Sequence, residues 1–359
     1  MATSWGRIVA GFSALGMLAA CSSSSSGGTP GGGGETGEGG APASSECVSQ
    51  PDAVFPARQF GETDLIRQIA VDADTLFFRT ETTLFSVPKA GGDVQTVADL
   101  SAEGPSEFWM TGDALLVRAQ GDLLSIPKGG GAPVKVGSPL APAPSNFANA
   151  QLDGTTLYWI ASDSSGYGVY SRALTGSASK QLYSTKDEIK YLQNAGAALY
   201  FVDKATSTIQ SLPLSGGAPT KLIDADSSDE IIGADATELY VIGSIGAPTS
   251  TNYGLYRQPL SGDSATLLDN ELFIDVPTAT SASGAYFSSP ANDSPNHGDP
   301  TDVAPSLLFA APSATMTIVR WCIDPSYTVH ALAVDGNTAY VSVYKTSANQ
   351  ATIARVPVP

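Results

Sequence analysis

One phrase returns seven times along this 359-residue chain and limits its fold more than any other feature. In each copy, a short apolar strand that usually carries Tyr or Phe is followed, after a variable gap, by an apolar residue four positions ahead of a proline. The second halves of the phrase occupy residues 84–88, 123–127, 169–173, 209–213, 255–259, 308–312 and 353–357, with alanine in place of proline in the third. A period of about 40 to 50 residues with several strands in each period is typical of a β-propeller. We therefore predict an all-β, seven-bladed β-propeller with four-stranded blades.

The first unit shows how one blade is built. Residues 67–71, 76–78, 84–88 and 94–97 read as its four strands, and glycines in the turn at residues 89–92 permit a positive φ. The seventh unit ends straight after its third strand, so its fourth strand must come from elsewhere. Residues 53–58 precede the first inner strand and are the natural donor. Such pairing closes the ring and leaves no open strand edge.

The amino terminus predicts an exported, lipid-anchored protein. Residues 1–20 contain a single charged side chain, Arg7, ahead of an apolar stretch too short to span a bilayer, which is typical of a signal peptide. The sequence Leu-Ala-Ala-Cys at residues 18–21 resembles a bacterial lipobox, in which Cys21 becomes the lipidated residue. The alternative is an ordinary secretory cleavage site followed by an incidental cysteine.

A flexible linker is predicted between the anchor and the folded part. Residues 21–46 comprise Cys21 and a tract rich in Ser and Gly that contains no large apolar side chain before the propeller at residues 47–359. Such a composition cannot offset the entropy lost on ordering. Ser22 resembles the sorting residue of outer-membrane lipoproteins, which indicates the outer membrane if the host is Gram-negative, with the domain periplasmic or surface-exposed.

The charge of the chain limits its partners. The formal net charge is −17, and removal of Arg7 with a signal peptide lowers it to −18. An acidic surface repels phosphate backbones, so we expect no nucleic-acid partner. We expect a monomer that reaches the membrane through its lipid anchor and binds a protein or cell-envelope partner.

Two cysteines remain if Cys21 is lipidated. Cys47 precedes the first complete repeat and Cys322 lies in the last strand of the sixth, so a closed ring would place them on neighbouring blades. We predict a disulfide between them in an oxidising compartment. Two unpaired thiols are the alternative.

The repeat resembles a known group of bacterial propellers. An Asp-containing turn followed by Leu-Tyr-Trp at residues 153–159, and the run from Ile209 to Pro219 with its Leu-Ser-Gly-Gly-Ala-Pro, are similar to propellers of the low-density-lipoprotein-receptor (YWTD) and TolB-like families. The resemblance covers residues from about 50 to 359. It implies a scaffold or protein-binding role, although related propellers include lactonases and lyases.

Loop length predicts where a binding face lies. From the second strand to the third, the spacing is 7 residues in the first two units but 15 in the fifth and 22 in the sixth. These connections project from the same face as the blade-to-blade connections, where binding sites concentrate. We therefore expect the binding face around blades five to seven.

The longest of these loops also offers weak metal ligands. Hard cations such as Ca²⁺ take several oxygen ligands. The candidates are Asp293, His297, Asp299 and Asp302. A solvated polar turn is the alternative, and no resident cofactor is otherwise predicted. Residues 224–230 have the first spacing of a calcium loop, but Asp229 replaces the glycine that such a loop requires at its sixth position.

Catalysis has little support in the sequence. His297 and His330 are the two histidines, and neither lies in a nucleophile motif. His330 lies on a predicted inner strand, where it could face the central channel or be hydrogen-bonded in the core or at its rim. The sequence therefore favours a membrane-tethered, non-catalytic binding lipoprotein. The alternative is a metal-dependent lactonase, hydrolase or lyase with a cation in the channel.

Overall fold

The computed structural model describes residues 47–49, 52–60, 65–137, 139–144, 150–226, 228–245, 253–269, 278–281, 284–289, 306–310, 317–322 and 327–358. Residues 44–359 form one compact unit. Almost all the regular structure in the described residues is β, apart from a 3₁₀ turn at Thr346–Ala348. Among these residues, no helix has the length and apolar character needed to cross a membrane.

Five four-stranded antiparallel sheets follow one another along the chain. They are named blades 1 to 5 in chain order. Blade 1 contains β3 (Gln68–Val71), β4 (Thr75–Arg79), β5 (Thr83–Pro88) and β6 (Gln95–Asp99), and blade 2 contains β7 (Pro105–Met110), β8 (Ala114–Ala119), β9 (Asp122–Pro127) and β10 (Val134–Lys135). Blade 3 contains β11 (Ala150–Asp153), β12 (Thr156–Asp163), β13 (Gly166–Ala173) and β14 (Lys180–Thr185). Blade 4 contains β15 (Ile189–Ala195), β16 (Ala198–Asp203), β17 (Thr208–Pro213) and β18 (Thr220–Asp224), and blade 5 contains β19 (Glu230–Ala234), β20 (Glu238–Gly243), β21 (Gly254–Pro259) and β22 (Thr266–Asp269).

The last two sheets recruit strands from the beginning of the chain. A five-stranded sheet contains β23 (Thr278–Ser281), β24 (Gly284–Ser289), β25 (Ser306–Ala310), β26 (Thr317–Cys322) and, parallel to β26, β1 (Cys47–Ser49). The closing blade contains β27 (Tyr327–Asp335), β28 (Thr338–Lys345), β29 (Gln350–Pro357) and β2 (Asp52–Ala53). The innermost strand β27 packs against β3 of blade 1, so the end of the ring meets its start.

The prediction of a propeller is confirmed, whereas the prediction of seven four-stranded blades is wrong. Six sheets are four-stranded blades, and the sheet between blade 5 and the closing blade has five strands. The physical reason is that β1 covers the outer edge of β26 before the chain continues into β2. An exposed edge of unpaired backbone groups is thereby covered.

The N-terminal segment closes the ring as predicted. Asp52 and Ala53 pair with Arg355 and Ala354 of β29, and the Val54 amide donates a hydrogen bond of 2.8 Å to the Ile353 carbonyl. Further along, the Thr352 hydroxyl donates to the Phe55 carbonyl. Backbone pairing between the two ends of the folded unit therefore supplies the fourth strand of the closing blade.

The cysteine prediction needs one correction. Cys47 is paired with Arg320, and Cys322 is paired with Ser49, so both cysteines belong to adjacent strands of the same five-stranded sheet. The expectation that they lie on neighbouring blades is wrong, because β1 joins the sheet that contains Cys322. The disulfide itself stays a prediction.

Hydrophobic packing between neighbouring sheets forms the core. One cluster between the closing blade and blade 1 contains Phe55, Phe78 and Tyr340, and a cluster between blades 4 and 5 contains Tyr200 and Val241. The repeat aromatics Phe78, Tyr200 and Tyr340 therefore fill the space between two sheets. This explains why a single blade could not bury its apolar side chains alone.

The glycine turns of blades 2 and 4 donate backbone hydrogen bonds to the outer strand of the preceding blade. In the turn of blade 4, the Gly216 amide donates to the Pro213 carbonyl at 2.8 Å, and the Gly217 amide donates to the Leu182 carbonyl of blade 3 at 3.2 Å. Gly216 has a φ of +85°, and a Cβ atom there would lie 3.0 Å from the Leu182 oxygen. The repeated Pro-x-x-Gly thus allows one blade to approach the outer strand of the previous blade.

This contact predicts a difference between two glycine substitutions. We expect Gly196→Ala, at a φ of +62° with nothing within 4 Å of the added Cβ, to lower the free energy of unfolding by about 1 kcal/mol through backbone strain. Gly216→Ala should lower it by roughly 1–3 kcal/mol more, because its Cβ also collides with the Leu182 carbonyl. Chemical denaturation of both variants measures the difference. Equal losses would show that the inter-blade contact at Gly216 does not limit the turn.

Candidate functional site on the loop face

Strand direction defines two faces of the propeller. The connections that lead into each inner strand and those between the second and third strands emerge on one face, here called the loop face. Residues 246–252 and 290–305, which follow the second strand in two of the sheets, lie outside the described residues. The predicted metal ligands lie in the second of these gaps, so metal binding there stays a prediction. These ligands are Asp293, His297, Asp299 and Asp302. Lipidation of Cys21 also stays a prediction.

The calcium-like segment at residues 224–230 has a different role. Asp229 is fully buried, and its two carboxylate oxygens accept hydrogen bonds from the backbone amides of Asp226 at 2.7 Å and Ser244 at 2.9 Å. Gly243 permits this approach, since a Cβ atom there would lie only 2.0 Å from the carboxylate. Asp229 therefore fixes the connection before β19 to the start of the 243–253 loop.

The local environment of Asp229 agrees with this structural role. Burial raises the pKa of its carboxyl group, while the hydrogen bonds from Ser244 and Asp226 act in the opposite direction. Within the described part of the chain, no group of three or more His, Cys, Asp or Glu side chains is arranged to hold a metal ion.

Tyr191 is the most unusual residue of the loop face. It lies in β15 where the register with β16 shifts between Lys190 and Gln193, and its φ is +57°. A bulky residue with this φ is strained, and bulges near sites often redirect a side chain. The Tyr191 hydroxyl donates a hydrogen bond of 2.7 Å to Oε1 of Glu230, the first residue of β19. The strained residue thus connects blade 4 to blade 5 at the loop face.

The pKa of the Tyr191 hydroxyl is raised by its surroundings. Burial and the adjacent Glu230 carboxylate raise the pKa of the hydroxyl well above its ordinary value. Tyr191 consequently remains a donor throughout the physiological range of pH. Glu230 is held in place by that donor while its side chain stays partly accessible.

Tyr253 adds an exposed aromatic residue to the loop face of blade 5. It directly precedes β21 and is 47% exposed, one of few large hydrophobic side chains so exposed among the described residues. Burial of the rest of the side chain, followed by the Glu230 and Asp229 carboxylates, raises the pKa of its hydroxyl. We call Tyr191, Glu230 and Tyr253 the tyrosine–glutamate site.

A local ion-pair network lies next to this site. Glu188 pairs with Lys204 at 2.7 Å and with Lys190 at 3.2 Å. The hydrogen bond from Lys204 holds the pKa of the Glu188 carboxyl below its ordinary value, and Glu188 in turn raises the pKa of Lys204. Both lysines of the neighbourhood are therefore engaged by Glu188.

His330 also lies at a bulge of an inner strand. The register between β27 and β28 shifts between Val329 and Leu332, and His330 Nε2 forms a hydrogen bond of 2.8 Å with the Thr328 hydroxyl. Its ring contacts Tyr344 edge-on at 6.0 Å between ring centroids. His330 is therefore hydrogen-bonded within the inner strand β27, and whether it faces the central channel stays a prediction.

The tyrosine–glutamate site is not predicted by the sequence. In sequence, Tyr191 lies in a segment with the pattern of an ordinary strand, and Glu230 ends the segment with the spacing of a calcium loop. One signal was available: Ile189 and Leu192 are both apolar although three positions apart, which breaks the alternation of a regular strand. Such a break predicts a bulge, but it does not predict the partner across the blade boundary.

Comparison with known proteins supports the fold alone. No protein-family profile and no curated protein sequence matches this chain. PorZ, a bacterial surface component of the type-IX secretion system of Porphyromonas gingivalis, has a similar structure with a TM-score of 0.55 at 12% identity, over 84% of this chain and 39% of PorZ. The chain therefore spans well under half of PorZ.

Two further structures are similar at a comparable level. A puromycin-hydrolysing peptidase of Mycobacterium tuberculosis matches with a TM-score of 0.56 at 13% identity, over 83% of this chain and 54% of the peptidase. The Pan2 WD40 domain of Neurospora crassa matches with a TM-score of 0.56 at 9% identity, over 86% of this chain and 95% of that domain. Because these proteins differ in function, the likeness establishes a propeller and nothing narrower.

The family resemblance noted in the sequence stays a prediction beyond the fold. TolB from Acinetobacter baumannii is among the similar structures, with 13% identity over 80% of this chain and 65% of TolB, but its TM-score is 0.41. That score does not assign the chain to the TolB-like group. No finding tests membership of the YWTD-type group.

The role of Asp229 predicts a local change in backbone protection. We expect Asp229→Ala to leave the amides of Asp226 and Ser244 without their buried acceptors, at a cost of about 2–4 kcal/mol for the two hydrogen bonds. Hydrogen–deuterium exchange at these amides should therefore become faster. Asp235→Ala is the matched control, since Asp235 accepts the amides of Thr237 and Glu238 in a turn on the opposite face. Unchanged exchange at Ser244 in Asp229→Ala would contradict the role.

Proposed function

We propose that this chain is a membrane-tethered, non-catalytic binding lipoprotein whose propeller presents its loop face to a protein or cell-envelope ligand. The observation that carries the proposal is the tyrosine–glutamate site. A strained tyrosine and the carboxylate that it holds join blades 4 and 5 on the loop face, and Tyr253, which directly precedes β21 of blade 5, is exposed on the same face. Backbone strain retained in a stable fold is a recognised mark of functional sites.

The composition of this site suits recognition rather than catalysis. Tyrosine supplies contact area with little loss of conformational entropy and a polar tip that stays hydrated, which is why it is enriched at binding surfaces. The site contains neither a nucleophile beside a base nor a set of converging metal ligands among the described residues. The enzymatic alternative, a lactonase, hydrolase or lyase with a channel cation, has no described residue in its favour.

The tether rests on the sequence. Cys21 follows the apolar segment of the signal peptide, and the Ser/Gly-rich linker would give the propeller reach from the lipid surface. We place the protein in the outer membrane of a Gram-negative envelope on the basis of Ser22. The lipid chains hold the protein at the membrane without a spanning segment.

The anchor is tested by changing the two cysteines separately. We expect Cys21→Ser to move the protein from the membrane to the soluble fraction of the cell envelope, because it removes the site of acylation. Cys47→Ser should leave the protein in the membrane fraction. Fractionation and immunoblotting measure both. Persistent membrane association of Cys21→Ser would refute the anchor.

The binding face is tested with the full chain carrying Cys21→Ser as bait for envelope proteins. We expect Tyr253→Ala to abolish or strongly reduce capture, since an exposed aromatic residue is a common centre of binding energy. Val134→Ala is the matched control, because Val134 is 63% exposed on an outer strand. Capture that is lost equally in both variants, or in neither, would refute a specific loop face.

A further inference from the structure

A buried polar cluster lies on the loop face of blade 4, where β16 turns into β17. Asp203 and Thr208 are each 4% exposed, and Gln210 is 8% exposed. Oδ1 of Asp203 accepts hydrogen bonds from the amides of Ala205 at 3.0 Å and Thr206 at 3.4 Å. Nε2 of Gln210 donates to the hydroxyls of Thr208 at 2.7 Å and Thr206 at 3.3 Å. Thr206 therefore links the carboxylate to the side-chain amide.

Two acceptor oxygens of this cluster have no donor among the described residues. They are Oδ2 of Asp203 and Oε1 of Gln210, whose side chains form hydrogen bonds only through their other polar atom. Neither oxygen belongs to the fully buried polar atoms that lack a partner in the described part of the chain, so both remain in contact with solvent. The hairpin thus holds two acceptors that are recessed yet open to a donor from outside.

Aromatic side chains of blade 3 lie next to the cluster. The ring of Tyr183 stacks on the ring of Phe201, with 5.7 Å between centroids and 25° between planes. Phe201 is directly opposite Gln210 in the β16–β17 ladder, so the two side chains leave the sheet on the same side, toward blade 3. Tyr167 packs against the same hydrophobic cluster, and both tyrosines remain partly exposed. The recessed acceptors are therefore bordered by aromatic surface from the neighbouring blade.

This combination of groups suits a polyhydroxylated ligand. A sugar ring presents hydroxyl donors around its edge and C–H groups on its faces, and the ring of a tyrosine offers an apolar face with a polar tip. Sugar hydroxyls would supply donors to Asp203 and Gln210 when water is displaced, whereas a purely apolar ligand would leave both acceptors unpaired at a cost in free energy. An anionic ligand would be repelled by the carboxylate.

We propose that Asp203 and Gln210, with Tyr183 beside them, bind a sugar unit of a cell-envelope glycan. The proposal rests on the proposed function and narrows its ligand to a carbohydrate. The hydrogen bonds to Thr206 and Thr208 hold both side chains in place before a sugar arrives. Preorganisation of this kind reduces the entropy lost on binding.

The test uses the full chain carrying Cys21→Ser and neutral oligosaccharides of glucose, galactose, mannose and N-acetylglucosamine. We expect saturation-transfer difference NMR to show binding of at least one of them, with a Kd of roughly 1 mM. Asp203→Asn should weaken it about tenfold, because Oδ1 still accepts the two backbone amides while the free acceptor becomes a donor. Tyr183→Leu should weaken it about fivefold through the loss of aromatic surface.

The matched control is Asp163→Asn in the equivalent hairpin of blade 3. Oδ1 of Asp163 accepts the amide of Ser165 at 2.7 Å, so the variant changes the same group in the same kind of turn, and it should leave sugar affinity unchanged. Equal weakening by the two asparagine variants would overturn the proposal. Binding of none of the sugars, or undiminished binding by Asp203→Asn, would overturn it as well. Tyr183→Leu decides the matter if Asp203→Asn fails to fold.

The outcome is distinguishable from failure of the proposed function. If none of the sugars binds while envelope capture still depends on Tyr253, the loop face binds a partner but not through this sugar site. If sugar binding depends on Asp203 while envelope capture is independent of Tyr253, the sugar site stands and docking through Tyr253 is wrong.

Discussion

The pairing of residues 52–58 with β29 is the constraint on which the rest of the structure depends. Each sheet of a propeller is stable because it packs between two neighbours, so the packing is complete only when the last sheet meets the first. Here β2 pairs with β29 as the fourth strand of the closing blade, and Phe55 packs in the cluster of buried residues between that blade and blade 1. The same few residues therefore complete a sheet, cover its edge and fill part of the core.

Polar contacts also join neighbouring blades outside the apolar core. Gln68 of blade 1 both donates to and accepts from the backbone of Phe108 in blade 2, and Gln151 of blade 3 donates to the Leu192 carbonyl of blade 4. Lys128 forms an ion pair with Asp72, and Lys89 forms one with Asp335. Each lysine follows a proline of the repeat, and each aspartate lies at the turn after the inner strand of the preceding blade. Neighbouring blades are thereby fixed in rotation as well as in distance, which is what a binding surface assembled from several blades requires.

The hydrogen bond between Tyr191 and Glu230 on the loop face depends on this fixed arrangement of the blades. Tyr191 and Glu230 lie 39 positions apart in sequence and are joined only because the inner strands of blades 4 and 5 lie side by side. The backbone strain at Tyr191 persists because blade 4 is packed against a neighbouring blade on each side, which prevents the backbone from relaxing to a conformation of lower energy. Function on such a scaffold can change by loop and rim residues without disturbing the blades, which is consistent with the unrelated roles of the structurally similar proteins.

The sequence by itself determined the repeat, and with it the propeller, the positions of the strands, the glycine turns and the source of the closing strand. These features are local or periodic, since side-chain alternation and turn chemistry act over a few residues. The tertiary structure alone decided that β1 would add a fifth strand beside β26, that Asp229 would hold a loop rather than a metal ion, and that Tyr191 would meet Glu230. Each of these outcomes depends on a partner distant in sequence, and the geometry that selects the partner exists only after the ring has closed.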